Sequence, residues 1–186
     1  MRGNASRNSR PGGARSGRPK LGRGTFTSEQ SRAIHVQPGQ GKTFRARGDL
    51  FFFKVVGSDS NDAFSMCEVW NAPQGGVPPH IDHRDDEAFF ILEGTYACRL
   101  GDRDLTSGPG ESFFAPRGMP HAFTNVGDAQ ARMLIVQSPG GVIEKYLEEA
   151  WEAIEDPLNL PLPVEPGFER VLAVAQKYGI EVLPLA

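Results

Sequence analysis

From Arg32 to about residue 140 the chain is cut every few residues by clusters of glycine, proline, asparagine and aspartate. They are QPGQG at 37–41, GSDSND at 57–62, NAPQGG at 71–76, GDRD at 101–104, SGPG at 107–110 and NVGD at 125–128. Each of these residue types favours a turn for its own backbone reason. Between them lie short runs rich in Phe, Val, Leu and Ile: LFFFKVV (50–56), AFSMCEVW (63–70), EAFFILE (87–93), YACRL (96–100), ESFFAP (111–116) and ARMLIVQ (131–137). Short strands at this spacing predict an all-β sandwich or barrel rather than β-α-β units. In YACRL, Tyr96, Cys98 and Leu100 should face one way and Ala97 and Arg99 the other. Gly101-Asp102-Arg103 then turns the chain back to Leu105. No internal repeat is evident, so one barrel is expected rather than two.

Two segments after the barrel change period. In 142–155, Ile143, Tyr146, Leu147, Ala150, Trp151 and Ile154 recur at helical spacing. In 167–179, Phe168, Val171, Leu172, Ala175 and Tyr178 form one stripe, with Pro166 before it and Gly179 as a stop. Both are expected to pack against the outside of the barrel.

The length of 186 residues fits one domain with extensions. Cys67 and Cys98 sit in apolar strand-like sequence and read as buried free thiols rather than a disulfide framework. The net charge of −3 hides an asymmetry. Arg2, Arg7, Arg10, Arg15, Arg18, Lys20 and Arg23 stand in the first 24 residues without an acid, leaving 13 of the 20 basic residues with all 23 acids. That tail, rich in Gly, Ser, Asn and Pro, has little to bury and reads as disordered. The expected domains are therefore a basic tail over 1–30, a β-barrel over 31–140 and a helical extension over 141–186. No apolar run approaches a membrane span. No apolar stretch of the kind found in secretory signals follows the tail. The acidic body argues against nucleic acid. The expectation is a cytoplasmic protein without a membrane or nucleic-acid partner.

The chemistry concentrates between His80 and Asn125. His80 and Asp82 are two apart, so on a strand both face the same way, and His83 faces the other. Glu87 opens the next strand, and His121 follows the PRGMP turn with Phe123 on its own face. Imidazoles and carboxylates converging on one point suit a first-row metal ion. The expected ligands are His80, Asp82, Glu87 and His121. Asp85 and Asp86 lie in the connecting turn and read as solvated. Phe89, Phe113 and Phe123 line an apolar pocket above the metal or form plain core. His35 reads as surface.

These residues resemble a known family, the cupins. Their first motif, G-x5-H-x-H-x3,4-E-x6-G, is met at His80, Glu87 and Gly94, while its leading glycine falls on Gln74, just before Gly75 and Gly76. The second, G-x5-P-x-G-x2-H-x3-N, is met in full by Gly110, Pro116, Gly118, His121 and Asn125. The order of segments, with SPGG at 138–141 and a closing YGIEVL at 178–183, is similar to the single-barrel, quercetin-dioxygenase-like subgroup. The resemblance covers about residues 33–186. It implies a double-stranded β-helix jelly roll, a homodimer, and one metal ion inside the barrel.

Where the family has its second histidine this chain has Asp82. Three readings stand: Asp82 ligates, His83 takes its place, or the site has lost a ligand. A carboxylate is harder than imidazole, which shifts the expected ion toward Fe(II) or Mn(II), with Ni and Zn as alternatives. The resemblance implies an O2-dependent dioxygenase acting on an aromatic or enolisable small molecule, with Glu87 as weak ligand or catalytic base. The alternatives are an isomerase or lyase on the same metal and a non-catalytic cupin that binds a small molecule or metal.

Overall fold

A computed structural model describes residues 33–157, 159, 160, 162 and 166–184. The basic tail expected over 1–30 lies outside the described residues. The elements run in the order β1 Lys42–Ala46, β2 Asp49–Val55, β3 Ser65–Asn71, β4 Gly76–Asp82, β5 Asp86–Glu93, β6 Tyr96–Leu100, β7 Arg103–Ser107, β8 Ser112–Ala115, β9 His121–Asn125, β10 Ala131–Ser138, α1 Val142–Ala150, β11 Glu152–Ile154, α2 Phe168–Tyr178 and β12 Ile180–Val182. They form two antiparallel sheets. One has the order β11-β1-β2-β3-β10-β5-β8 and the other β12-β4-β9-β6-β7. This is the all-β sandwich predicted from the turn spacing, and the double-stranded β-helix that the resemblance implies.

The strands form where period-two patterning buries one face. In β10, Ala131, Met133, Ile135 and Gln137 are buried while their neighbours are half-buried or exposed. In β6, Tyr96 and Cys98 are buried and Ala97 and Arg99 exposed, as the alternation requires. The inner faces meet in a core that includes Phe44, Phe53, Val69, Phe89, Ile91, Tyr96, Met133 and the free thiols of Cys67 and Cys98. Each such large apolar side chain contributes about 1.5–3 kcal/mol by burial.

The helices lie outside the sheets, and α1 also sends Leu147 into the barrel core. The expected helix over 142–155 ends early, at Ala150. Trp151 is already extended, its N–H closing the last turn on the Leu147 carbonyl. Residues 152–154 pair instead with the open edge of β1, Ile154 opposite Thr43. Ile154 there packs with Leu50 and Phe52. An unpaired edge of strand β1 and an apolar patch outweigh one more helical turn. The second helix ends as expected at Gly179, which adopts the left-handed conformation. No helix among the described residues is long and apolar enough to cross a membrane.

Two motif positions have direct backbone reasons. Gly94 has φ +86°, and a Cβ there would stand 2.3 Å from the Ala131 Cβ. Gln74, at the place of the motif's leading glycine, also has positive φ, 64°. Its N–H still donates to the Asn125 carbonyl at 3.0 Å. Gly94→Ala should therefore destabilise by about 2–4 kcal/mol, adding left-handed strain to overpacking. Gln74→Gly should leave stability unchanged or raise it by up to about 1 kcal/mol. Urea unfolding checks both signs; a Gln74→Gly loss as large as that of Gly94→Ala would refute this account of the turn.

Candidate metal centre

Both sheets contribute to one buried cluster. Strand β4 carries His80 and Asp82, β9 carries His121, and β5 of the other sheet carries Glu87. One ligand atom from each of the four lies within 4.8 Å of the others, and all four residues are buried. The convergence depends on a bulge. In the β4–β9 pair, Val77 stands opposite Phe123 but His80 stands opposite His121, so β4 holds one extra residue. That extra residue lies at Pro78-Pro79, where proline's missing N–H costs no ladder bond. Val77 and His80 are an odd number apart, so only the bulge lets both face inward. It also sets the two imidazoles directly across from one another, ring centroids 4.1 Å apart.

The presenting loop is pinned from two directions. Arg117 donates from its backbone N–H, Nε and Nη2 to the Asp86 carboxylate at 2.8, 3.0 and 2.9 Å. Gly118 N–H donates to the Asp82 carbonyl at 2.7 Å. Arg117 in turn holds the Asp86 carboxyl down at about 2. Asn125, wholly buried, donates from Nδ2 to the carbonyls of Asn71, Ala72 and Ala129, which fixes the far end of β9.

The histidine tautomers follow from their partners. His80 Nδ1 lies 2.9 Å from the Pro78 carbonyl and His121 Nδ1 3.0 Å from the Met119 carbonyl. A carbonyl only accepts, so both Nδ1 atoms carry hydrogen and both Nε2 atoms face the cluster. There His80 Nε2 is 3.3 Å and His121 Nε2 3.5 Å from Asp82 Oδ2, and His121 Nε2 is 3.0 Å from Glu87 Oε2. Neither oxygen of Asp82 has a hydrogen bond in proper geometry, although the side chain is 2% exposed. Two neutral imidazoles and two carboxylates sum to −2, and a divalent cation both neutralises them and satisfies Asp82. The donor set fits such an ion.

Protons are the competing occupant. Burial works against charging His121, but the Glu87 carboxylate, the Met119 carbonyl and the charge of Asp82 outweigh it and raise its pKa from 6.5 to about 9. His83 is not part of the cluster. Its side chain is half-exposed and its Nε2 lies 2.9 Å from Glu181 on β12. His35 is exposed, as read.

The turn reading of Asp85 is corrected. Asp86 makes the Arg117 pair, but Asp85 is 1% exposed with both oxygens unpartnered. Burial, with the charges of Asp82 and Glu87, pushes its carboxyl up to about 8. Asp85 and Asp86 read alike as solvated, and nothing in the local pattern marks the first of them as enclosed. Gln137 is the other residue the sequence reading passed over. Its Nε2 donates to Glu87 Oε1 at 3.3 Å, and Ser65 Oγ donates to its Oε1 at 3.1 Å. Its signal was present, since period two places Gln137 on the inner face with Met133 and Ile135. The phenylalanines are core: Phe89 stacks on Phe113 at 4.4 Å and meets Phe123 edge-on at 5.8 Å.

The cavity that reaches His80 lies elsewhere. It has a volume of about 480 Å³, and its walls include Arg47, Phe51, Tyr146, Trp151, Phe168 and Ile180. The C-terminal segment therefore supplies much of a chamber that reaches His80.

The proton balance gives a prediction. A folded-state pKa of about 9 for His121, against an ordinary 6.5, gives stability that is full below 6.5 and lost as pH rises through 9. Asp85 acts in the same direction, because its folded carboxyl holds a proton up to about 8. The metal-free protein should lose melting temperature between pH 6.5 and 9. Each divalent ion bound at neutral pH should release about one proton, read in weakly buffered solution. A melting temperature that rises across that window, or metal uptake without proton release, would contradict this arrangement.

Residues 69–137 match the family model described as the cupin domain. Germin-like protein 1-1 from Oryza sativa subsp. japonica is 36% identical over 77 residues, 38% of this chain and 35% of that protein. Oxalate oxidase GF-2.8 from Triticum aestivum is 36% identical over 87 residues, 41% of this chain and 39% of that protein. The chain thus spans about two fifths of the length of the curated relatives it matches. Among solved structures, KdgF from Halomonas sp. superposes with a TM-score of 0.53 at 14% identity, covering 59% of this chain and 96% of that one. A predicted oxalate decarboxylase from Thermotoga maritima gives 0.52 at 19% identity, covering 57% and 99%. At those identities the likeness is one of fold. The similarity to a cupin domain is thus carried by residues 69–137, and the solved structures share the fold.

Proposed function

We propose that the chain is a metal-dependent cupin that holds one divalent ion on His80, Asp82, Glu87 and His121 and oxidises a small molecule with O2. The observation that carries the reading is the buried carboxylate of Asp82, without a donor and facing the Nε2 atoms of two imidazoles. Two histidines with hard carboxylates match the donor pattern of Fe(II) oxygenases better than that of copper proteins, so Fe(II) or Mn(II) is the proposed ion. When bound, such an ion would supply Lewis acidity toward a substrate oxygen and a site for O2.

The protein's own groups do the positioning. Pro78 and Met119 carbonyls hold the two imidazoles with Nε2 forward. Gln137 holds Glu87 by Oε1 and leaves Oε2 as the atom that ligates weakly or takes a proton from the substrate hydroxyl. The largely apolar chamber beside His80 admits a body larger than a simple diacid. That favours an aromatic or enolisable substrate, in the manner of the quercetin-dioxygenase-like subgroup. Similarity to an oxalate oxidase favours a second reading, oxidation of a small dicarboxylate on the same four ligands.

Glu87→Gln separates holding metal from moving a proton. On Fe(II)-loaded protein it should keep the metal, yet lower O2 consumption with a catechol- or flavonol-like compound by about 10²–10⁴-fold. Oxygen uptake at the wild-type rate in that variant would remove Glu87 as base. Ligand-induced stabilisation without uptake, across a panel that includes oxalate, would make the protein a binding cupin rather than an oxidase.

A further inference from the structure

The helix α1 was expected only to pack against the barrel, yet it presents a polar group to the chamber. Tyr146 lines the cavity that reaches His80. Its hydroxyl oxygen accepts the Trp151 Nε1–H at 3.1 Å, and among the described residues its own proton has no acceptor. Burial raises the pKa of the phenol, so it stays protonated and can donate. Two charges act on it: Asp82 of the metal cluster and Arg47.

Arg47 is the second observation. It lies on the cavity wall in the turn between β1 and β2, with φ 55°. A long non-glycine residue in the left-handed region is strained. It makes no ion pair among the described residues. The carboxylate of Asp49 feels its charge only at longer range, and a cation with no close ion pair, on a wall that is otherwise largely apolar, is suited to an anion that arrives with the ligand. Phe168, also on the wall, is 67% exposed, an apolar ring largely open to a ligand.

We propose that the chamber between the barrel and its C-terminal helices binds an aromatic carboxylate whose ring system lies against Trp151 and Phe168. Its carboxylate pairs with Arg47, and the Tyr146 hydroxyl donates to a ligand oxygen on the side of His80. Arg47 and Tyr146 are specificity residues here, and a diacid without rings makes only the Arg47 contact. The inference rests on the metal-centre reading only for which ligand oxygen approaches the ion, since the chamber itself needs no metal.

The probe is 6-hydroxy-2-naphthoate, which carries a carboxylate and a hydroxyl at opposite ends of a rigid ring pair. Binding to the full chain is read by quenching of Trp151 fluorescence, with Trp151→Phe as the control for Trp70. It is run with Fe(II) or Mn(II) and again with chelator. Binding is expected in both arms. Arg47→Gln should weaken the naphthoate about tenfold and leave 2-naphthol unchanged, as loss of a charge-assisted bond requires. Tyr146→Phe, which removes one hydroxyl from an intact ring, should weaken both about fivefold. Melting curves of the two variants confirm that each is folded. The proposal is overturned if the naphthoate fails to bind in either arm, if both variants bind it like wild type, or if oxalate displaces it with equal affinity. A protein that binds the naphthoate but takes up no metal would sink the metal centre and leave the chamber standing. A metal-loaded protein that ignores the naphthoate would do the reverse.

Discussion

A carboxylate almost fully enclosed, with no hydrogen-bond donor aligned on it, is the constraint around which this molecule is arranged. Asp82 sits between the Nε2 atoms of His80 and His121, which are turned toward it because their Nδ1 hydrogens are committed to backbone carbonyls. Glu87 adds a second negative charge, and Asp85 a third carboxyl whose pKa is raised by burial and by the charges of Asp82 and Glu87. Leaving such groups uncompensated costs several kcal/mol. A proton on His121 offsets part of this. A divalent ion offsets it fully and uses the geometry already present.

The barrel makes that geometry by crossing two sheets. Three of the four candidate ligands belong to the five-stranded sheet and Glu87 to the seven-stranded one, so the cluster exists only when the sandwich is closed. The rest of the architecture holds it to position. A proline bulge turns His80 inward, the Asp86–Arg117 pair fixes the loop before His121, and Ser65 and Gln137 hold Glu87 from behind. Strand β12 then pairs with the outer edge of β4, placing Ile180 opposite Asp82, and so ties the C-terminal segment to the site.

Much of this was legible in the residues. Turn clusters between short apolar runs predicted the sheets, because punctuation and period two are local properties. The spacing of His80, Asp82, Glu87 and His121 predicted their convergence, and strand alternation correctly set His83 apart. What escaped reading depends on contacts far apart in sequence. The end of α1 at Ala150 was invisible because the competitor, the free edge of β1, lies about a hundred residues earlier. Asp85 was read as solvent-facing because local composition carries no record of what covers a turn. Tyr146 and Trp151 were read as a packing stripe, since helical spacing shows which side chains share a face and not that the face borders a cavity. Gln137 alone was within reach, a polar residue on the inner side of a buried strand.

The most direct measurement is metal content of protein purified without chelator or polyhistidine tag, for wild type, Asp82→Ala and His83→Ala in parallel. The account predicts about one Fe or Mn per chain in wild type and in His83→Ala, and a loss of it in Asp82→Ala. A wild-type protein that remains empty after incubation with Fe(II) and Mn(II), or an Asp82→Ala variant that still holds a full equivalent, would contradict it.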